Sequence, residues 1–342
     1  MEFILHKNFS EIDASKWNTL VQQSIADTPF SRYEYLSEWW KTLGGGEWSA
    51  RADTHPPVLV LVSAGENDQL IGIAPLFIAE YEGQQALLLV GSIEISDYLD
   101  LIVRERDLPA FLSGLLDFLA SLPSAWSAID WYNIPDSSPT LAALKAESEK
   151  RGWTHHEEIY RPTPRIPLNG SFEEYLSRLD KKQRHEIRRK MRRAAESELN
   201  VRFVIVDRNA NIGSEINAFF YLMTQDPNKA NFLTPLMREQ MTVTIRTAFE
   251  QGYLWLAFLE VAGVKVAASL NFDYKNKLWG YNSGVSREHM ELSPGWVLLA
   301  HTIQWCCENN RYEFDFMRGD EEYKYRFGGV NRYVIRERVV KP

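Results

Sequence analysis

The sequence predicts a mixed α/β protein built from two similar halves. Its 342 residues exceed the roughly 250–300 that one hydrophobic core usually spans, and 45% of them are hydrophobic, enough for two cores. One succession of strand-like and helix-like patterns also occurs twice.

The first copy begins with two helical stretches, "SEIDASKWNTLVQQS" and "SRYEYLSEWWKTLG". From Val58 to Gly91, "VLVLVSAGENDQLIGIAPLFIAEYEGQQALLLVG" then reads as three strands with tight turns at "GEND" and "YEGQ". An amphipathic helix follows at Arg106 to Pro123, leading into the strand "AIDWYNI", Ala128 to Ile134. The second copy has helical stretches at "SEINAFFYLMTQ" and "TPLMREQMTVTIRTAFEQ". Three strands run from Leu254 to Gly284 with turns at "VAGV" and "DYKNK". A helix at Ser293 to Asn310 then leads into "EFDFMRG", Glu313 to Gly319. Asp130 and Asp315 hold equivalent places in the two final strands. The halves are expected to divide at 1–165 and 166–342.

Cys306 and Cys307 are the only cysteines, so no disulfide framework or cysteine zinc site is available, an intracellular pattern. No metal is expected. The start "MEFILHKNFSEID" turns acidic too soon for a signal peptide, and no run reaches the ~18 apolar residues of a membrane span, so a soluble cytoplasmic protein without a membrane span is expected.

Net charge is −8, unevenly spread. Arg178 to Arg193, "RLDKKQRHEIRRKMRR", carries nine Lys/Arg against two acids, a local +7 that leaves −15 on the remainder. Ser171 and Glu174 form a capping-box pattern that starts a helix. Leu176, Leu179, Gln183, Ile187, Met191 and Ala194 continue it as a mostly apolar stripe, so the basic helix is expected over 171–199. Arg184, Arg188 and Arg192 follow one side at i, i+4 and i+8, where like charges repel by a few tenths of a kcal/mol per pair. Two readings stay open: a solvated face on an acidic body, or a site for a phosphate-bearing ligand, which the planar guanidinium suits. His185 reads as a surface residue, since no second ligand sits at helical spacing. Nothing besides this block supports DNA binding.

The order of three antiparallel strands, a helix and a strand resembles the GNAT acyltransferase fold, here in tandem. The residues carrying the resemblance are "SDYLD" (Ser96 to Asp100), "SFEEYLSRLDKKQRHEIRRKMRR" (Ser171 to Arg193), "LSPGWVLLAHTI" (Leu292 to Ile303) and "FDFMRGDEEYKYRFGG" (Phe314 to Gly329). They look most like the CelD-type, cellulose-biosynthesis-associated proteins, related to the Fem peptidoglycan aminoacyltransferases. The resemblance implies two tandem GNAT-like domains, an acyl-CoA such as acetyl-CoA as co-substrate, and transfer of its acyl group to an amine of an amino sugar or a cell-envelope or polysaccharide precursor. A Fem-like enzyme would instead use charged tRNA. A third reading is an inactive tandem-GNAT protein that binds a component of polysaccharide synthesis.

The resemblance also implies site residues. Ser293, as N-cap, with Pro294, Gly295 and Trp296 begins the helix that in GNAT enzymes receives the acyl-CoA pyrophosphate on its first-turn amides, and Arg184 and Arg188 would add phosphate contacts. This entry has one glycine and a donor-less proline where the family has a glycine-richer run. The first copy's "RERDLPAFL" places acids there, so one donor site is expected, in the second half. "YKYRF" is similar to the Phe-Lys-x-x-Phe stretch of Fem enzymes, which makes Lys324 an oxyanion-stabilising or substrate-holding cation. Tyr323 or Tyr281 would protonate the departing thiolate, and Asp315 or Glu322 would take the amine's proton. Arg318, Glu322 and Tyr323 are expected to hold substrate. Asp315 needs a cation if buried, with Arg318 and Lys324 nearest in sequence. Asp97 and Asp100 can raise one another's pKa as neighbouring carboxylates, or serve as loop hydrogen-bonding groups.

Overall fold

In the computed structural model the described residues are 1–46, 56–81, 84–123 and 126–342. They form two compact units, Met1–Pro162 with Arg332–Pro342, and Thr163–Asn331.

The first unit contains β1 (Glu2–His6), α1 (Ala14–Val21), α2 (Tyr33–Leu43), β2 (Val58–Glu66), β3 (Gln69–Tyr81), β4 (Gln84–Leu89), β5 (Ile102–Val103), α3 (Leu108–Ser121), β6 (Ala128–Pro135), α4 (Pro139–Arg151) and β7 (Thr154–Pro162). The second contains β8 (Arg165–Pro167), α5 (Phe172–Arg178), α6 (Lys181–Ala195), β9 (Val201–Ile205), α7 (Ile212–Met223), α8 (Pro227–Phe232), α9 (Pro235–Glu250), β10 (Leu254–Val261), β11 (Val264–Tyr274), β12 (Lys277–Val285), α10 (Pro294–Glu308), β13 (Glu313–Asp315) and α11 (Glu322–Arg326). The last strand, β14 (Tyr333–Val340), returns to the first unit.

The first sheet runs β1-β2-β3-β4-β6-β14-β7, with β5 beside β3, and the second runs β8-β13-β12-β11-β10-β9. In each, three antiparallel strands are followed by a helix and a parallel strand, β4 with β6 and β12 with β13. The doubled order is therefore present. The contiguous division at 165/166 needs correcting at its far end, because β14 pairs with both β6 and β7 in antiparallel register. Those ladders supply backbone partners that a detached terminal segment would lack.

The turn residues dictate the hairpins. Asn67 and Asp68, Ala262 and Gly263, and Lys275 and Asn276 all have positive φ, as two-residue hairpin turns require. The expected turn at "YEGQ" lies partly outside the described residues. The helix expected from Ser171 starts there, with both capping-box bonds present, but it breaks at Leu179–Asp180. Asp180 accepts from the Gln183 amide and starts α6 anew, its side chain competing with helix continuation. Leu176, Ile187 and Ala194 remain in the core beneath α10.

Candidate active site

The second unit's parallel pair diverges almost at once. β13 matches β12 over three positions, Lys277↔Glu313, Leu278↔Phe314 and Trp279↔Asp315, and then ends. Asp315 causes the end: its carboxylate accepts the Met317 amide at 2.8 Å, and Met317 turns the chain with φ 61°. β12 continues from Gly280 to Val285 with no strand on that side among the described residues. Gly280 fits the divergence because a Cβ there would sit 3.0 Å from the Asp315 carbonyl oxygen. The register shifts at the next residue, Tyr281, a bulge opposite Leu270 and Asn271.

Asp315 is 1% exposed and takes its charge partner from a residue the sequence did not single out. Lys277 lies 2.8 Å from Asp315 and 2.6 Å from Glu313, with its ammonium 3.7 Å from the Trp279 ring centroid. Burial alone would lower the Lys277 ammonium, but the two carboxylates offset it and hold it above the ordinary lysine value. Lys277 stands opposite Glu313 in the ladder and reaches Asp315 two positions along the same face; sequence distance pointed instead to Arg318 and Lys324.

Lys324 is 2% exposed. It donates to the Met317, Arg318 and Gly319 carbonyls at 3.3, 2.7 and 3.2 Å and lies 3.0 Å from the Glu321 carboxylate. The loop that follows β13 is thereby tied to α11. Of the other expected site residues here, Arg318 is half-buried and Tyr323 exposed, while exposed Glu322 pairs with Arg326 at 2.6 Å. The Tyr281 hydroxyl is buried and its ring packs 4.9 Å from Phe272.

Sequence reasoning missed Lys229. It reaches from α8 to the diverging edge of β12, donating to the Ser283 carbonyl at 2.6 Å, the Asn282 Oδ1 at 3.1 Å and the Ser283 Oγ at 3.3 Å. Burial lowers its ammonium, Asp226 and Glu321 act the other way, and Lys324 adds to the lowering. Asp226 followed by Pro227 signals the start of α8, but nothing local links that helix to β12.

At the entry to α10, Ser293 adopts φ 53° and its side chain makes no cap bond, so the expected side-chain cap is absent. Gly295 has a packing reason, since a Cβ would lie 2.9 Å from Val285. Trp296 packs 4.7 Å from Phe327, and Lys190 of α6 lies 4.1 Å from the Trp296 ring centroid. Arg184 donates to the Ser177 and Leu179 carbonyls, and Arg188 to Glu173. These contacts relieve the expected repulsion along α6. Lys181, Lys182, His185, Arg189 and Arg192 keep the outer face basic and exposed.

The first unit treats the corresponding place differently. Ile93 to Leu101 is buried there except for exposed Glu94 and tied to the end of β6. Asn133 donates to the Ile93 and Ser96 carbonyls at 3.1 and 2.8 Å and accepts the Leu99 amide at 2.9 Å. Asp97 is buried within this segment. Asp100 accepts from the Leu101 amide, Ser138 and Thr140, which join it to the start of α4. Burial pushes the Asp100 carboxyl up to about 6 against the pull of those bonds, so the raised value does not come from Asp97. The α3 entry carries Glu105 and Asp107, as the sequence implied.

Residues 181–325 match the model of the acetyltransferase (GNAT) domain family, a stretch that includes β10 to β13, α10 and the loop held by Lys324. Solved structures share the fold along nearly the whole chain. The crystal structure of FemX has TM-score 0.69 and 13% identity, covering 98% of this chain and 97% of that one. L-PGS from Bacillus licheniformis has TM-score 0.56 and 11% identity over 96% and 92%. A conserved protein from Bacteroides thetaiotaomicron has TM-score 0.59 and 12% identity over 99% and 100%. No curated protein matches the sequence. The fold is thus a tandem of two GNAT-like mixed α/β units. Among the described residues, no helix is long and apolar enough to cross a membrane, and no group of three or more His, Cys, Asp or Glu is placed to hold a metal.

Proposed function

We propose that the second unit is an acyltransferase that moves an acyl group from a thioester such as acetyl-CoA onto an amine, of an amino sugar or a cell-envelope or polysaccharide precursor. The observation that carries this is the edge of β12 from Gly280 to Val285, which stays paired with β11 past a bulge but which β13 no longer covers, so that among the described residues no strand lies on that side. An extended chain bearing amides can pair with such an edge. The donor's phosphates then fall to the first-turn amides of α10 around Gly295 and Trp296, with Ser293 shaping the entry and the basic face of α6 alongside.

In the reaction the amine attacks the thioester carbonyl, the carbon–nitrogen bond forms and the carbon–sulfur bond breaks. Tyr281, at the bulge, is assigned to protonate the thiolate. The amine's proton goes to a carboxylate of the loop after β13, where Glu321 and Glu322 face solvent. Lys324 acts by positioning that loop, because its protons already rest on three carbonyls and Glu321. Asp315, neutralised by Lys277, is structural. Arg318 and Tyr323 remain the substrate-side candidates. In the first unit, Asp97 and Asp100 belong to a segment that fills its own strand gap, and we assign that unit no donor site.

The exposed cations of α6 favour a second reading, an aminoacyl group delivered on tRNA. The experiment is a thermal melt with acetyl-CoA, longer acyl-CoAs and tRNA in turn, since a ligand of the native state raises the melting temperature. A rise with an acyl-CoA, followed by release of free thiol when amino sugars are added, is the expected result. A rise with tRNA alone selects the second reading, and no rise with any of them rules out both donors and leaves the reading of an inactive protein that binds a component of polysaccharide synthesis.

A further inference from the structure

We propose that Lys229 gates the donor's path, its ammonium occupying the strand-edge acceptor that an incoming amide would use. This rests on the reading that a thioester donor lies along β12.

Ser283 pairs with Ser269 at a position flanked by Leu270↔Asn282 and Ala268↔Gly284. Narrow and wide pairs alternate along an antiparallel ladder, and the Ser283 carbonyl is the one turned outward, toward the side that β13 has left. It is bonded to Lys229 at 2.6 Å. The two further contacts, to the Asn282 Oδ1 and Ser283 Oγ, place the rest of the ammonium on the same edge. An amide-bearing chain that added to β12 would donate to this carbonyl, so both cannot bind it in the same way at once.

The gate can open at modest cost. α8 has six residues, none of them buried. The ammonium already lies in the field of Asp226 on its own helix and of Glu321 on the loop before α11, with Lys324 opposing. Displaced from Ser283, it has two carboxylates to move toward. The charge-assisted bond it gives up is stronger than the neutral amide bond that replaces it, so Lys229 lowers donor affinity and favours chains that place an N–H at this level of the strand.

The test is calorimetry of acetyl-CoA with wild type and Lys229→Met, which keeps much of the stem and removes the donor. The variant should bind about tenfold tighter, the fold-change expected when a competing hydrogen bond of this strength is removed. Equal or weaker binding by a folded variant overturns the gate and leaves the donor site standing. Failure of wild type and variant alike to bind overturns the donor reading and the gate with it. Should Lys229→Met not fold, the wild type still decides, through labelling by a biotin N-hydroxysuccinimide ester read by peptide mass spectrometry. Saturating acetyl-CoA should increase labelling at Lys229 by displacing it, and protection would overturn the gate.

Discussion

The two units start from the same plan and finish it in opposite ways. In each, a buried aspartate stands on the strand after the crossover helix, 1% exposed in both cases: Asp130 on β6 and Asp315 on β13. Asp130 receives Arg336 as a two-pronged fork at 2.7 and 2.8 Å, from the β14 strand beside it. Asp315 receives Lys277 from β12. The first unit then fills the gap beyond its short parallel pairing with Ile93 to Leu101, knotted to Asn133. In the second, side chains meet the edge of β12 at Ser283, Lys229 on the carbonyl and Asn282 on the amide. A filled gap contributes stability and leaves no place for a ligand, whereas an edge capped by displaceable side chains can accept one. The uncovered strand edge supports the proposal that ligand chemistry lies in the second unit.

The largest effect that can break this comparison lies at the buried aspartates. Lys277→Met removes the cation beside Asp315, while Glu313 keeps Arg165 at 2.9 Å, and should destabilise by roughly 3–5 kcal/mol. Arg336→Met should do the same to the first unit, and denaturant midpoints check both. A loss near zero for either would mean that its aspartate is not held by that cation. Next comes Lys324→Ala, which strands three loop carbonyls and should cost about 2–3 kcal/mol while lowering turnover. Because Asp315 answers to Lys277, adding Asp315→Asn should not restore stability. Recovery in the double mutant would show that Lys324 and Asp315 are partners after all.

A smaller change tests the first unit's filled gap. Asn133 sits at φ 64°, so Asn133→Gly keeps the backbone relaxed while removing the side-chain bonds to Ile93 and Ser96. About 2 kcal/mol should be lost, with acetyl-CoA still binding at one site per chain by calorimetry. A second site in the variant would show that the segment had been covering one.

The last effect is gradual, a slope in pH. Glu337 on β14 is fully buried, and burial first, then Glu157, pushes its carboxyl up to about 8. It hydrogen-bonds His155, whose imidazole burial pushes down. A carboxyl raised in the folded state holds a proton that the unfolded chain releases. The stabilisation is full below the ordinary glutamate range and is lost as pH rises through about 8, at no more than ~1.4 kcal/mol per pH unit. Asp100 adds the same sign up to about pH 6. In Glu337→Gln the decline between pH 6 and 8 should flatten, measured by chemical denaturation at each pH. An unchanged slope would remove Glu337 as its source.

Short-range chemistry determined what the sequence alone could disclose. Asn67–Asp68 and Lys275–Asn276 made their hairpins because two-residue turns need left-handed backbone. Ser171 with Glu174 started a helix because the capping box closes within four residues. The period of the apolar residues then placed the doubled order of strands and helices, and with it the fold class. Asp180 belonged to the same short range but was passed over, and α6 begins there. The tertiary structure decided what depends on partners distant along the chain. Strand pairing brought Lys277 on β12 near Asp315 on β13, and Arg336 on β14 near Asp130 on β6, with neither pair directly opposite in register. Lys324 turned inward because the chain folds back at Met317 and Gly319. Gly295 served Val285, 10 residues earlier in the sequence. Lys229 found Ser283 across 54 residues, a contact that no local propensity encodes, because a flexible cation takes whichever buried acceptors the packed strands leave uncovered.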